Sequence, residues 1–326
     1  MFPRRMSKAF IPNKSNKFIN PETGNKRVVI TTEEKPTFDR SVVYSTNPTK
    51  YKIVNCFTSN SAFGDKVIEA AAKSLGVSTT SVSQGPCKGL NINFGILRGS
   101  EILLQECIRQ KLDYLYIDHA YFNSGHETKR PAYRVTLNGL QQNQLLDVPG
   151  DRFDKLGVRV KPWKKSGDYI LVCPPTDAVM NFYKNWDWLT KTLNQLRRYT
   201  KRKIIVRTKP NETKLTYRNG IAYPVSKAER QKLKAEAQPI PPLVDQLKNA
   251  WAVVTFTSSA GIEAAINGVP VFCDRSCASA QVGLTNLSKI EQPIYPDRTQ
   301  WLNTLAYSQF YIDEIRDGSI WRMLGI

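Results

Sequence analysis

Histidine is nearly missing from this chain of 326 residues, with only His119 and His126 present. Cysteine is sparse and unpatterned, at positions 56, 87, 107, 173, 273 and 277. Cys273 and Cys277 lie close in sequence, but two thiols and two distant imidazoles make a poor zinc set, and no metal site is expected. Irregular cysteine spacing in a long chain argues against a disulfide framework and for a reduced, cytoplasmic setting. No run reaches the roughly 18 consecutive apolar residues that crossing a bilayer requires, so no transmembrane segment is expected. The opening MFPRRMSKAFIPNKSNKF carries basic residues without a continuous apolar stretch, unlike a secretory signal. Acid is also scarce: 28 Asp and Glu stand against 47 Lys and Arg, a formal net charge of +19.

What is present is enough to fold. Hydrophobic residues make up 41% of the chain, and the length fits one large or two medium domains. The positive charge is concentrated. Residues 1–27 hold seven Lys and Arg against Glu22, and residues 191–240 hold fourteen against three Glu, so these stretches supply +17 of the +19. Such asymmetry attracts polyanions, DNA or an anionic membrane surface among them. A solvated basic surface that maintains solubility is the simpler reading.

Residues 1–50 are polar and weakly periodic, as in an irregular basic arm. Tyr51–Phe57 then reads as a core strand, followed by a small-residue loop at 58–64 and a helix over 65–75, the opening unit of a doubly wound sheet. Val77–Val82 forms a short strand, 84–91 a polar loop, Phe94–Leu97 a strand, and 100–110 a helix capped by Ser100. Tyr114–Ile117 is a buried strand ending at Asp118 and His119, and Tyr133–Leu137 an edge strand. In the second half, strands at Asp168–Cys173, Lys203–Arg207, Trp251–Phe256 and Pro270–Phe272 alternate with helical pattern. One long amphipathic helix is predicted over 177–199, with apolar positions at Val179, Phe182, Trp186, Leu189, Leu193 and Leu196. Residues 208–240 read as a charged connection with one helix over 227–237, and the tail as helical.

The strongest local constellation is Thr257, Ser258, Ser259, Ala260 and Gly261, between a buried strand and a helix. Early helical N–H groups lack internal partners, and the helix dipole favours negative charge there. A phosphate or diphosphate fits such a turn. Glu263 follows, placed to accept hydrogen bonds from ribose hydroxyls. Ordinary helix capping explains the same residues without a ligand.

The block VVTFTSSAGIEAAINGVPVF (253–272) resembles the donor-site segment of GT-B glycosyltransferases, nearest the capsule-polysaccharide, Kdo-transferase-like group. DYILVCPPTD (168–177) is similar to the strand and loop that open the C-terminal domain of that group. KIIVRTKPNE (203–212) is similar to a strand ending in its Lys-x-His-Pro-like motif, except that no histidine is present, so Lys209 or Arg207 would replace it as the cationic donor contact. The resemblance covers about residues 168–275. It implies an α/β, GT-B-like fold: two Rossmann-like domains facing a central cleft. The corresponding boundaries are a basic arm at 1–50, an acceptor-side domain at 51–162, a nucleotide-sugar-binding domain at 163–298 and C-terminal helices at 299–326. It further implies a nucleotide sugar as co-substrate, held by Pro174, Thr176, Arg207, Lys209, Thr257, Ser258, Ser259, Gly261 and Glu263, with no tightly bound cofactor.

A transferase that inverts configuration must deprotonate an acceptor hydroxyl and stabilise the departing phosphate. Asp118 and His119, at a strand end, are the leading acid–base candidates, with His126 and Asp65 behind them. Arg130 and Arg134 lie nearby, facing an anionic acceptor or merely solvent. The acceptor is expected to be a hydroxymethylated base in bacteriophage DNA, gripped through the basic residues of 1–27 and 191–240 and flipped into the cleft. A surface polysaccharide is the competing acceptor. A nucleotide-sugar epimerase or hydrolase, and a non-catalytic DNA-binding protein, are the alternatives of other classes.

Overall fold

The computed structural model describes residues 51–122, 131–209, 214–236 and 239–326. The basic arm, His126 and Arg130 lie outside the described residues. The first half builds β1 (Val54–Thr58), α1 (Gly64–Leu75), β2 (Thr79–Ser81), β3 (Leu90–Phe94), α2 (Ser100–Gln110), β4 (Tyr114–His119), β5 (Ala132–Leu137) and the single-turn α3 (Asp151–Asp154). Strands β2, β1, β3 and β4 pair in parallel in that order, and β5 adds antiparallel to β4. On one face Cys56, Ile92, Leu115 and Ile117 pack against Val67, Ile68 and Ala71 of α1. On the other, Tyr114 and Tyr116 meet Leu104 and Cys107 of α2. Helix α1 stops at Gly76, whose φ of 69° supplies the left-handed terminator.

Several predictions in this half need correction. The strand expected over Phe94–Leu97 keeps only Phe94, the last residue of β3, and residues 95–97 bend away from the sheet. The polar loop over 84–91 is in part strand β3, because Asn91 and Asn93 occupy fully buried strand positions. Asn91 is made tolerable there by its bonds: Oδ1 accepts from the Cys87 amide at 2.9 Å, and Nδ2 donates to the carbonyls of Cys87 and Asp113 at 3.0 and 3.1 Å. Ser100 is not the cap of α2. Gly99 takes the N-cap position at φ 97°, its amide held by Glu101 Oε2 at 2.9 Å, while Ser100 Oγ donates to the Phe94 carbonyl.

The second half contains β6 (Tyr169–Cys173), α4 (Asp177–Tyr183), α5 (Trp188–Tyr199), β7 (Lys203–Val206), β8 (Leu215–Arg218), β9 (Ile221–Pro224), α6 (Lys227–Glu236), α7 (Leu243–Leu247), β10 (Ala250–Thr255), α8 (Ala260–Ile266) and β11 (Val271–Phe272). Four of these strands form a wholly parallel sheet in the order β11-β10-β6-β7. Leu171 and Val253 pack on one face with Ile262 and Ala265 of α8; Ile170, Val172 and Val254 pack on the other with Leu196 of α5. The single helix predicted over 177–199 is two helices. Lys184 turns left-handed at φ 52°, sending Phe182 into the first half's core and leaving Trp186, predicted apolar stripe, 53% exposed. The charged connection also contains an unpredicted hairpin, β8–β9, turned by Asn219 and Gly220 at φ 49° and 76°.

Between the halves, residues 161–164 pass directly over the end of α8, with Lys161 N donating to Ile266 O and Lys164 N to Gly268 O. A Cβ at Gly268 would lie 1.9 Å from the Pro162 carbonyl oxygen, so only glycine permits this crossing. After it come α9 (Thr299–Tyr307), β12 (Gln309–Tyr311), α10 (Ile312–Arg316) and α11 (Ser319–Leu324). Trp301 and Leu305 enter the core of the second sheet; Phe310, Ile315 and Trp321 return to that of the first. Strand β12 pairs antiparallel with β5, so β5, predicted as an edge, is interior and the predicted all-helical tail contains a strand. Among the described residues, no helix is long and apolar enough to cross a membrane.

Candidate functional site

In the four-stranded sheet the chain runs from β6 outward to β7 and then crosses to place β10 on the other side of β6. Such a reversal opens a crevice at the carboxyl ends of the two central strands, where open α/β sheets bind ligands. The segments leaving β6 and β10 there are Pro174–Thr176 and Thr257–Gly261, both singled out from sequence. Thr255 Oγ1 ties the strand ends together by donating to the Cys173 carbonyl at 2.6 Å. Arg207 follows β7 at the same edge. It is 8% exposed, and its Nη1 donates to Pro241 O and Gln246 Oε1, both at 2.6 Å. Burial raises the Glu263 carboxyl pKa, and the nearby Arg207 charge opposes that rise; the side chain still meets solvent. Burial likewise pushes the Cys173 thiol up to about 12. Thr176 is the N-cap of α4 with its hydroxyl uncommitted to the helix, and Lys209 is exposed beyond the strand end.

The turn into α8 is less open than its sequence implies. Ser258 N donates to Thr255 Oγ1, Ala260 N to Ser258 Oγ, Gly261 N to Ser258 O and Glu263 N to Ser259 O, at 3.0–3.3 Å. Local capping therefore takes most of the donors expected to meet an anion. The amides of Ser259 and Ile262 keep no partner among the described residues, and the Ser259 side chain is exposed. Gly261 has a packing reason: a Cβ would approach Ser279 Oγ to 2.8 Å. Thr257 is 4% exposed, its carbonyl accepting from Gln141 Nε2, while Gln141 Oε1 accepts from Ala278 N at 2.7 Å. Gln141, from the first half, thus clamps the turn from across the molecule.

The six-stranded sheet has its own reversal between β1 and β3. Asp65, on the first turn of α1, is spent on the loop leaving β1: Oδ1 accepts from Ser59 N at 2.9 Å and Oδ2 from Ser61 N at 3.0 Å. Phe63 from that loop lies 6.3 Å from the His119 ring, nearly parallel, and Phe94 meets His119 edge-on. Asp118 and His119 close β4 side by side, but differently placed. His119 is exposed. Asp118 is committed: Arg134 Nη2 donates to Oδ2 at 2.7 Å, Tyr116 OH donates to the same oxygen at 2.5 Å, and the His119 amide holds Oδ1 at 2.8 Å. Burial works to raise the Asp118 pKa, but Arg134, His119 and these hydrogen bonds outweigh it and hold the carboxyl below its usual range. Arg134 is therefore neither a solvent charge nor an open anion contact; it stands opposite Asp118 in the β4–β5 register, over the Tyr116 and Tyr121 rings.

The two sets of strand ends meet. Tyr121, whose OH accepts from Gln142 N at 2.6 Å, feels the charges of Arg134 and Asp118 and the thiol of Cys277. Tyr183 lies within reach of Arg134, Asp274 and Cys277. Burial pushes both phenols up to about 12. Cys277 in turn contacts the Ser258 carbonyl at 4.0 Å. Buried Cys273 donates a hydrogen bond to Cys277, which raises its own pKa and lowers that of Cys277. Sequence reasoning missed Gln141, Tyr121 and Tyr183. Their only signal is a polar or phenolic group inside apolar stretches, and such a group names no partner.

The fold and site define a mixed α/β protein built on one wholly parallel sheet and one largely parallel sheet. No family model matches the chain, and no curated protein matches it. Among solved structures it is similar to two from Thermosulfurimonas dismutans. One is the β-Kdo 2,4-transferase of KpsC, at TM-score 0.42 and 14% identity over 79% of this chain and 91% of that one. The other is the β-Kdo 2,7-transferase of KpsC, at TM-score 0.44 and 11% identity over 84% and 99%.

Proposed function

We propose that this protein is a glycosyltransferase that draws a sugar from a nucleotide-sugar donor bound at the carboxyl ends of β6 and β10. One observation carries the reading: the strand-order reversal gathers Pro174–Thr176, Arg207 and Thr257–Glu263 at a single edge of the parallel sheet. In this reading the donor phosphates meet the Ser259 and Ile262 amides and the hydroxyls of Thr176 and Ser258. Arg207 and Lys209 supply positive charge to the leaving nucleotide, and Glu263 accepts from the ribose. Thr257 and Gly261 shape the turn.

The acceptor oxygen forms its bond to the anomeric carbon as the bond from that carbon to phosphate breaks. The acceptor proton passes to a base, for which exposed His119 is placed at the end of β4. Asp118, held ionised by Arg134, orients that strand end; Asp65 fixes the loop beside it; His126 belongs to the same region of sequence. The acceptor proposed from charge is a hydroxymethylated base in DNA, with a surface glycan as its rival.

The test is a thermal-shift screen of nucleotide sugars, followed by transfer assays on hydroxymethylated DNA, plain DNA and glycan acceptors. A stabilising donor whose effect is lost in Arg207→Met and Glu263→Ala supports the site. Donor consumption without any acceptor product would assign the chain to the epimerase or hydrolase class, and no stabilisation by any nucleotide sugar refutes the reading.

A further inference from the structure

A shallow, open concavity of about 660 Å³ lies beside the carboxyl end of α5, lined by residues 197–202 and Glu291. Its one acidic group is already used. Glu291 accepts from Arg202 Nε at 3.0 Å and from the Thr200 hydroxyl. Arg202 itself lies over the Trp251 ring, 4.1 Å from its centroid, and donates to the Gly167 carbonyl at 2.7 Å. The remaining cations are different. Arg197, Arg198 and Lys201 are exposed, as is neighbouring Lys203, and among the described residues no carboxylate pairs with any of them. Other surface cations on this protein do find acids: Arg109 pairs with Glu106, Lys191 with Asp187 and Lys248 with Asp245, at 2.6–2.7 Å. The α5 dipole accounts for Arg197 and Arg198 in its last turn. It does not account for Lys201 and Lys203, which lie past the helix end and add to the repulsion.

We propose that this concavity binds the phosphodiester backbone of single-stranded nucleic acid. Arginine forks match phosphate oxygens, lysines add charge along the strand, and Tyr199, 44% exposed among them, offers a ring on which a base stacks. The position of the concavity sets its role. Lys203 opens β7 and Arg207 follows that strand's far end, so four residues of strand rise, about 13 Å, separate the recess from the edge proposed for the donor. Nucleic acid held here lies at the opposite edge of the sheet and is tethered rather than delivered to that edge. The inference stands whether or not the transfer reading does.

Fluorescence anisotropy of a labelled single-stranded oligonucleotide, titrated with the full chain at several salt concentrations, tests it. The variant Arg197→Glu/Arg198→Glu/Lys201→Glu is expected to bind at least tenfold more weakly, with the slope of log affinity against log salt reduced by about 2. A charge-matched reference, Lys66→Glu/Lys73→Glu/Lys111→Glu, changes three exposed lysines of the first half and is expected to lose less than threefold. Circular dichroism melts establish that both variants are folded. Equal losses in the two variants, or an unchanged affinity and slope in the first, overturn the proposal. So does tighter binding to phosphatidylserine vesicles than to the oligonucleotide through the same three residues.

Discussion

Arg134→Met isolates the buried pair that anchors the end of β4. The arginine and Asp118 side chains are 14% and 21% exposed and meet at 2.7 Å, and the guanidinium lies over two tyrosine rings. Removing one partner of a buried pair costs about 3–5 kcal/mol, because the other charge is left desolvated. Residual solvent contact places this pair near the lower end, ~3 kcal/mol. For a chain of 326 residues that corresponds to a fall in melting temperature of roughly 4–5 °C. The pH dependence carries the diagnosis. In the native protein the Asp118 pKa is lowered, so its stabilisation is complete above the ordinary carboxylate pKa and is lost as pH falls through the depressed native value. Without Arg134 the effect of burial loses its largest opponent, so the Asp118 pKa moves upward from its native value and the stabilisation that the charged carboxyl gives above the ordinary pKa shrinks. The gap between the two proteins should thus be widest near neutrality and close in acid. Urea melts from pH 3 to 7 measure it, and the double variant Asp118→Leu/Arg134→Met, with no charge left to strand, should regain most of the loss. A gap that stays constant with pH, or a double variant no better than the single one, would refute the reasoning.

Glu263→Gln should match the parent below the ordinary carboxylate pKa and become slightly the more stable protein as pH rises past it, because partial burial raises the native carboxyl pKa and so penalises its charged form; thermal melts across that range read the divergence. Gln141→Ala leaves the buried Ala278 amide and Thr257 carbonyl without their bridge and should cost about 1–3 kcal/mol by denaturant melts. Gly268→Ala, with a Cβ 1.9 Å from a carbonyl oxygen, should yield no folded monomer on gel filtration, whereas Gly220→Ala, at a similar positive φ in open space, should fold with a loss of about 1 kcal/mol.

The parallel core was legible because its strands are apolar runs followed by small-residue turns. Leu171, Val172 and Val253 could hardly lie elsewhere than between two layers of helix. Strand β3 was hidden because Asn91 and Asn93 imitate a loop until their hydrogen-bond partners are known. The break after α4 rests on a left-handed Lys184, a residue type that carries no such signal, whereas Asn219–Gly220 did announce a hairpin inside a stretch that charge made look unstructured. At the candidate site the residue types were readable and their commitments were not. Asp118 and Asp65 look like free carboxylates in sequence, but each is occupied by donors that approach from a neighbouring strand or loop.

Strand β12 gives the chain a particular order of completion. The first sheet begins with Val54 and receives its last strand only at Gln309–Tyr311, after the whole second sheet has been made. A growing polypeptide therefore carries β5 with an open flank through most of its synthesis, a ready template for pairing with another chain. Shortening the protein by its last two dozen residues would make that transient hazard permanent, so the tail acts as the seal on a sheet begun some 250 residues earlier.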